Sequence, residues 1–301
     1  MKQNKCIDAG REGCPCSLAE YGRCLICGRL SGGTCEDCSW QGTCIYSLYQ
    51  QNGRRIIPGR RERLLSVRET REYSQDFKVF VLEADRGFCQ KAQTAGAYVF
   101  VRREEENGWY DAPISVLKSE PEAGLLHLGI CRCGVKSSSL FRETEKLWVR
   151  GVYYNGLSGL GHLKESAKEA LIYAKGIAVA PLRNFLDGGS RYNKWLRDMR
   201  IFVDLDKVGF DFFMDYFGDL PADAVEVKNF AEEGLGSLEF SEESNVFGLA
   251  SPYYAAQIEQ ASGGAAVHPT EGNMCCGEGV CGACTYVDEL GHTVRRCKLR
   301  E

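Results

Sequence analysis

Short apolar runs separated by turn-forming residues fill the chain between residues 76 and 165. Five of these runs are rich in Val, Ile, Leu and aromatic side chains, which favour strands: FKVFVLEA (77–84), GAYVFVRR (96–103), PISVLK (113–118), GLLHLGICR (124–132) and KLWVRGVYY (146–154). Strands that follow one another so closely predict a small antiparallel barrel. A short helix is expected in SSSLFRET, between the last two runs.

From residue 166 to 268 the pattern changes to strands that alternate with helices. EALIYAKG reads as a buried strand that leads into a helix at APLRNFL, and RIFVDL reads as a strand before FDFFMDYF. AVEVKNF and SNVFGLA are further strands, and PYYAAQIEQA is a helix. This alternation predicts a doubly wound parallel sheet.

Both ends of the chain are poor in aliphatic residues and rich in cysteine. Of the 16 cysteines, eight lie in the first 44 residues and five in the last 27. Such segments cannot be stabilised by hydrophobic burial alone, so we expect bound metal to stabilise them. The basic stretch GRRIIPGRRER after the N-terminal segment reads as a solvated linker or partner surface, in preference to a nucleic-acid site.

Charge and hydropathy exclude several classes of partner. The net charge of −4 provides no overall field for nucleic acid or an anionic membrane, and no run of about 18 apolar residues predicts a membrane span. Because the N-terminus also lacks a signal-peptide pattern, we expect a cytoplasmic protein. In that reducing compartment the cysteines are expected to bind metal rather than form disulfides.

The C-terminal cysteines have the spacing of a plant-type two-iron two-sulfur (2Fe-2S) cluster. Intervals of four, two and twelve residues separate Cys276, Cys281, Cys284 and Cys297. Small residues leave room for backbone amides to approach a cluster, at Gly277, Gly279, Gly282 and Ala283. Cys275 does not fit the spacing, and a zinc knuckle is the alternative interpretation. Cys297 is expected on a strand that follows a turn at residues 289–291.

The order of barrel, sheet and CxxxxCxxC…C cluster resembles ferredoxin reductase-type electron-transfer proteins over residues 70–301. Examples are the electron-transfer subunits of dihydroorotate dehydrogenase B and the small subunits of sulfide dehydrogenase and of NADH-dependent ferredoxin:NADP oxidoreductase. The resemblance implies FAD on the barrel, NAD(P)H on the sheet and a 2Fe-2S cluster at the end. It also implies a partner flavoprotein subunit in a hetero-oligomer, with which this chain exchanges electrons.

The resemblance implies the cofactor-binding residues. For FAD they are Tyr98, Ala112, Pro113, Ile114 and Ser115 near the ring, and Gly134, Lys136 and Ser137 at a phosphate turn. For the nicotinamide cofactor they are Gly176, Ala180 and Pro181. The chain departs from the family where Asp111 stands in place of an arginine, and where Ala174, Lys175 and Ala178 replace glycine. These departures support an alternative function, a non-catalytic redox sensor or assembly subunit on a degenerate reductase fold.

The N-terminal cysteines suggest two four-thiolate sites. Two CxxC pairs seven residues apart form one set: Cys24, Cys27, Cys35 and Cys38. The remaining set is Cys6, Cys14, Cys16 and Cys44. Zinc is the favoured metal, with a further iron-sulfur cluster as the alternative.

These observations define a multidomain protein with five segments. They are a Cys-rich metal-binding domain (1–52), a basic connector (53–75), a flavin-binding type antiparallel barrel (76–165), a doubly wound α/β domain (166–268) and a 2Fe-2S segment (269–301).

Overall fold

The chain folds as two compact units in a computed structural model. The first unit combines Met1–Glu62 with Glu271–Glu301, and the second comprises Arg63–Thr270. The structure describes residues 6–36, 38–56, 60–188, 191–271, 273–288, 291 and 293–299. The two cysteine-rich ends, which the sequence pattern assigns to separate domains, therefore belong to a single unit.

Six antiparallel strands close into a barrel in the order β1-β2-β5-β4-β3-β6. They are β1 (Glu62–Ser74), β2 (Phe77–Glu83), β3 (Tyr98–Arg103), β4 (Ala112–Glu120), β5 (Leu125–Cys131) and β6 (Lys146–Tyr153). The five strands predicted from apolar runs are confirmed as β2 to β6. The prediction of a connector over residues 53–75 is wrong, because β1 lies within it. Only Leu65 is buried in β1, so this strand has no apolar pattern to reveal it.

Alternate residues of the barrel strands fill its interior. Phe80 and Leu82 of β2 and Val99 and Val101 of β3 are almost fully buried in one apolar cluster. The helix α3 (Arg86–Ala92) packs Phe88 and Ala92 into the same cluster. A second short helix, α4 (Val135–Ser139), follows β5 and lies near the predicted position.

Four parallel strands form the sheet of the second unit, in the order β10-β9-β8-β11. They are β8 (Glu169–Lys175), β9 (Arg200–Asp204), β10 (Val225–Val227) and β11 (Ser244–Leu249). The helices that pack on it are α5 (Ala180–Asp187), α6 (Gly209–Phe217), α7 (Phe230–Glu233) and α8 (Pro252–Ala261).

Successive residues of β8 alternate between the two faces of this sheet. Ile172 packs in the cluster that contains Phe185 of α5, whereas Tyr173 packs in the cluster that contains Phe230 of α7 and Ile258 of α8. Helices therefore cover both faces, and the prediction of a doubly wound sheet is confirmed. Among the described residues, none of the helices has the length and apolar character needed to cross a lipid bilayer.

The first unit is small and irregular. Its regular elements are α1 (Ser17–Glu20), α2 (Ile45–Gln51) and a hairpin of β13 (Thr285–Val287) and β14 (Thr293–Arg295). Cys6 forms an antiparallel bridge with Leu299, and the Ile7 amide donates to the Lys298 carbonyl at 2.9 Å. The predicted strand is present as β14, but it ends at Arg295, and Cys297 lies in the 3-10 turn Arg296–Lys298 that follows it. Residues 289 and 290 of the predicted turn lie outside the described residues.

One glycine of the second unit allows a close backbone approach. Gly159 follows β7 (Leu157–Ser158), which pairs with β12 (His268–Pro269). Its φ is +79°, and a Cβ at this position would lie 2.2 Å from the carbonyl oxygen of Ala266. Both the left-handed conformation and the missing side chain are therefore required here.

We expect Gly159→Ala to lower the free energy of unfolding by about 2 kcal/mol or more, because the new Cβ would strain the backbone and displace the Ala266 carbonyl. Urea denaturation followed by tryptophan fluorescence measures this change. Gly161→Ala is the matched control, since nothing lies within 4 Å of its Cβ position, and its change should stay below about 0.5 kcal/mol. Equal behaviour of the two variants would contradict the prediction.

Candidate functional site

The four C-terminal cysteines of the predicted cluster motif come together in the first unit. The Cys297 sulfur lies within hydrogen-bonding reach of Cys276 and Cys284, and Cys281 lies within reach of Cys276. The Cys276 sulfur also accepts backbone N–H groups from Glu278 at 3.3 Å and from Cys281 at 3.5 Å. The loop thus brings the four thiols together and directs backbone N–H groups at the Cys276 sulfur.

Glycines with positive φ shape this loop. Gly277, Gly279 and Gly282 have φ values of 69°, 73° and 77°. A Cβ at Gly279 would meet Cγ of Lys298 at 3.0 Å and Cδ1 of Leu18 at 3.2 Å. The three glycines predicted to let the backbone curl are therefore needed for conformation, and Gly279 is needed for close packing as well.

Mutual hydrogen bonds divide the four thiols into two pairs. The hydrogen bond with Cys297 is the main cause that lowers the pKa of Cys276 to about 4 and that of Cys284 to about 6. The same contacts, with Cys276 first, raise the pKa of Cys297 itself, and burial raises the pKa of Cys281. The thiolate, the form that binds metal, is therefore favoured at Cys276 and Cys284.

The spacing of these four thiols is that of a plant-type 2Fe-2S cluster, which divides four thiolates between two irons. Among the residues that the structure describes, no three His, Cys, Asp or Glu side chains are arranged to hold a single metal ion. Cys284 and Cys297 are buried and Cys281 is exposed, so one edge of the group faces solvent.

The N-terminal cysteines group differently from the predicted sets. Cys14 and Cys27 are buried in a small core, and Cys24 packs against them. The Cys27 amide donates to the Cys24 sulfur at 3.3 Å. Burial raises the pKa of Cys14 to about 11, and the charges of Cys24 and Cys16 add to this effect.

Cys35 and Cys38 are exposed and are not among the residues packed in this core, and Cys44 is also exposed. The loop before them closes on itself through a hydrogen bond from the Gly33 amide to the Gly28 carbonyl, at 2.8 Å. Burial raises the pKa of Cys6 to about 12, with Cys16 among the neighbouring charges. The structure therefore packs Cys14, Cys24 and Cys27 in one core, with Cys16 close enough to affect the pKa values of Cys14 and Cys24, and it leaves three other thiols of the two predicted sets, Cys35, Cys38 and Cys44, exposed.

The residues implied for the flavin ring lie on two paired barrel strands. Tyr98 of β3 is opposite Ser115 of β4, and its buried ring stacks on Tyr153 with centroids 5.1 Å apart. On β4, Ala112 is buried and Pro113 is exposed, while Ile114 and Ser115 are half-buried. Pro113, Ile114 and Ser115 are thus the part of this set that solvent reaches.

The predicted phosphate turn is fixed by its own hydroxyl. The Ser137 hydroxyl accepts the backbone N–H groups of Cys133 and Gly134, both at 3.1 Å. The Lys136 ammonium donates to the Asp111 carbonyl at 2.9 Å, which joins the turn to the start of β4. Gly134 is exposed, so its backbone is accessible to a ligand.

Asp111 lies between two arginines that the sequence motif did not reveal. Its carboxylate pairs with Arg102 of β3 at 2.8 Å and with Arg150 of β6 at 2.9 Å. The cation missing before Pro113 is therefore replaced in space by neighbouring strands. The one sequence signal that could have indicated Arg150 is its position as an arginine inside the apolar run KLWVRGVYY. Two arginines therefore bind the carboxylate of Asp111 and Lys136 binds its backbone carbonyl, so three cations lie around one anion, which suits an anionic diphosphate.

The predicted nicotinamide turn contains an ion pair. Lys175 at the end of β8 pairs with Asp204 at the end of β9, and its ammonium lies 3.9 Å from Asp206. Asp204 also accepts the Phe230 amide at 3.0 Å. These side chains bind one another at the carboxyl edge of the sheet, where dinucleotides bind in folds of this class.

The other residues of that turn offer little to a ligand. A Cβ at Gly176 would lie 3.4 Å from the Asp206 carboxylate, so a negative charge stands beside the backbone that would meet a pyrophosphate. Ala180 and Pro181 are the first two residues of α5, and both are buried. A dinucleotide at this turn would have to displace the Lys175–Asp204 ion pair and lie beside the Asp206 carboxylate.

Comparison with known proteins gives a fold but no family. No family model and no curated protein sequence matches the chain. Among solved structures, the chain is similar to an NADH-dependent reduced ferredoxin-NADP oxidoreductase described for flavin-based electron bifurcation. The TM-score is 0.56 at 16% identity, over 78% of this chain and 86% of that one.

Two further structures have the same fold. Phthalate dioxygenase reductase, described as modular for electron transfer from pyridine nucleotides to 2Fe-2S, matches with a TM-score of 0.53 at 14% identity, over 84% of this chain and 97% of that one. An intact type IV self-sufficient cytochrome P450 monooxygenase matches with a TM-score of 0.51 at 14% identity, over 78% of this chain and 39% of that one. The barrel and parallel sheet of this chain therefore have the ferredoxin reductase-type fold.

Proposed function

We propose that this protein is the electron-transfer subunit of an oxidoreductase complex. In this proposal it passes electrons between NAD(P)H, FAD and a 2Fe-2S cluster, to or from a partner flavoprotein subunit in a hetero-oligomer. The observation that carries the proposal is the presence, in one chain, of a reductase-type barrel and sheet together with four converging cysteines. FAD and the cluster would supply the redox chemistry, and the fold would hold them.

The chain's own residues support each cofactor differently. Cys276, Cys281, Cys284 and Cys297 would ligate the two irons, with backbone N–H groups directed at the Cys276 sulfur. On the barrel, Lys136, Arg102 and Arg150 would provide positive charge for the FAD diphosphate. The exposed backbone at Gly134 and the half-buried Ser115 would border the same ligand.

A second candidate function is a non-catalytic redox sensor or assembly subunit. The observation in its favour is the ion pair of Lys175 with Asp204 and the carboxylate of Asp206 beside Gly176. These groups occupy the turn where a nicotinamide dinucleotide would bind, and their net charge is negative. In this function the cluster would change oxidation state without turnover of NAD(P)H.

We also propose a second thiolate site in the first unit, formed by Cys14, Cys16, Cys24 and Cys27. Cys14, Cys24 and Cys27 take the place of apolar side chains in a core that contains few of them. A core of this size needs a further source of stability, which a bound zinc ion or a further iron-sulfur cluster would provide.

Titration of anaerobically purified protein with NADH discriminates the two functions. We expect bound FAD and two irons per chain, and for the electron-transfer subunit NADH should bleach both the flavin and the cluster absorbance. A spectrum that NADH leaves unchanged but dithionite bleaches would favour the sensor. Protein with neither flavin nor iron, and silent in low-temperature paramagnetic resonance after reduction, would exclude both.

Lys136→Met should weaken FAD binding about tenfold, because it removes one of the cations near the proposed diphosphate position. Fluorescence titration of the flavin-free protein with FAD measures this dissociation constant. Lys146→Met is the control, since Lys146 is an exposed lysine at the start of β6 and lies outside the cation group. If both variants bind FAD equally, the diphosphate does not lie at this turn.

Metal analysis of four serine variants tests both thiolate sites. Cys284→Ser should lose the two irons of the cluster, whereas its control Cys275→Ser should keep them. Cys24→Ser should lose the metal of the N-terminal site, whereas its control Cys38→Ser should keep it, because Cys38 is exposed outside the buried group. Inductively coupled plasma analysis of zinc and iron gives the stoichiometry. Metal lost from Cys38→Ser as well as from Cys24→Ser would instead support the set of two CxxC pairs, which contains both residues.

A further inference from the structure

Three charged side chains are buried together in the first unit beside a fourth that is partly exposed, and the proposed electron transfer makes no use of them. The Lys298 ammonium, fully shielded from solvent, donates to Asp8 at 2.7 Å and to Glu278 at 3.1 Å. The Arg60 guanidinium donates to the same two carboxylates, at 2.5 Å and 3.3 Å. The charge network of Asp8, Arg60, Glu278 and Lys298 thus joins segments from both ends of the chain.

The network lies against the loop that carries the proposed cluster ligands, where a Cβ at Gly279 would be 3.0 Å from Cγ of Lys298. Lys298 follows Cys297, and Glu278 lies in the loop between Cys276 and Cys281, where its own amide donates to the Cys276 sulfur at 3.3 Å. Asp8 comes from the N-terminal Cys-rich segment, two residues after Cys6. An N-terminal carboxylate therefore neutralises a cation adjacent to a C-terminal ligand.

Burial keeps water away from most of this network. The side chains of Lys298, Asp8 and Arg60 are 0%, 3% and 9% exposed, and each lies against a partner of opposite charge. Charges shielded from water act strongly on a nearby redox centre, because little solvent screens them.

We propose that Lys298 and Asp8 set the reduction potential of the C-terminal cluster, so that the N-terminal segment tunes the electron transfer in which the cluster takes part. This inference rests on the cluster assigned in the proposed function. One-electron reduction adds a negative charge to the cluster, and net charge is one of the determinants of its potential. The Lys298 ammonium favours the reduced state, and the Asp8 carboxylate opposes it.

The experiment measures cluster potentials in the full-length protein, by redox titration followed with paramagnetic resonance. Lys298→Met should make reduction at least tenfold less favourable, which is a fall of 59 mV for a one-electron couple. Asp8→Asn should shift the potential in the opposite direction by a similar amount. Lys298→Arg keeps the charge and should stay within about threefold of the wild type. Potential shifts of opposite sign in Lys298→Met and Asp8→Asn would indicate an electrostatic role, because destabilisation of the structure would shift both potentials in the same direction.

Glu271→Gln is the matched control. It also replaces a carboxylate by an amide in the first unit, and its partner Arg296 precedes Cys297, but the Glu271 side chain is 40% exposed and the pair is 3.8 Å apart. Solvent should screen this pair, so we expect less than a twofold effect on the reduction equilibrium.

Three results would overturn the inference while leaving the proposed function intact. The first is a shift of Lys298→Met and Asp8→Asn in the same direction. The second is a shift no larger than that of Glu271→Gln. The third is loss of the cluster from both variants while Lys298→Arg and Glu271→Gln retain it, which would assign the network a purely structural role. A wild-type protein that contains no two-iron cluster would overturn the proposed function, and this inference with it.

Discussion

The burial of the Lys298 ammonium is the constraint on which the first unit depends. A buried cation is stable only with carboxylate partners, and those of Lys298 come from opposite ends of the chain, Asp8 and Glu278. Removal of one partner of such a pair typically costs about 3–5 kcal/mol. If one end separated from the other, the Lys298 ammonium would either become exposed or stay buried with a carboxylate partner missing. The thiols of both ends are therefore tied to one folded unit, in a segment whose apolar core is too small to provide that link.

The sequence predicted the second unit well because its strands are apolar. Strands such as FKVFVLEA and EALIYAKG are buried on both faces, so each is visible in the sequence as a continuous apolar run. The strand β1 could not be predicted, because charged residues dominate it and only Leu65 is buried. The contact between the two ends of the chain could not be predicted from the sequence either. Asp8 and Lys298 are 290 residues apart, and a pairing of two isolated charges leaves no local pattern.

In the candidate site, too, the features with a local sequence pattern were predicted and those that depend on distant residues were not. The four C-terminal cysteines lie within one short segment, so their spacing predicted the residues that converge. The N-terminal cysteines depend on how a loop folds back, and the closure between Gly28 and Gly33 leaves Cys35 and Cys38 exposed. Spacing alone does not contain that information. Asp111 is a third case, because the arginines that surround it lie nearby only after the barrel strands have paired.

The two departures from the reductase pattern have opposite electrostatic consequences. At the barrel, Asp111 replaces a cation, yet Arg102, Arg150 and Lys136 leave the surroundings positive. At the sheet, Lys175 adds a cation, yet Asp204 and Asp206 leave the surroundings negative. Flavin and nicotinamide dinucleotides both carry a diphosphate, so these fields favour the first ligand and oppose the second. A nicotinamide could bind the sheet only if Lys175 left Asp204, and the resulting loss of a partly buried ion pair would count directly against its affinity.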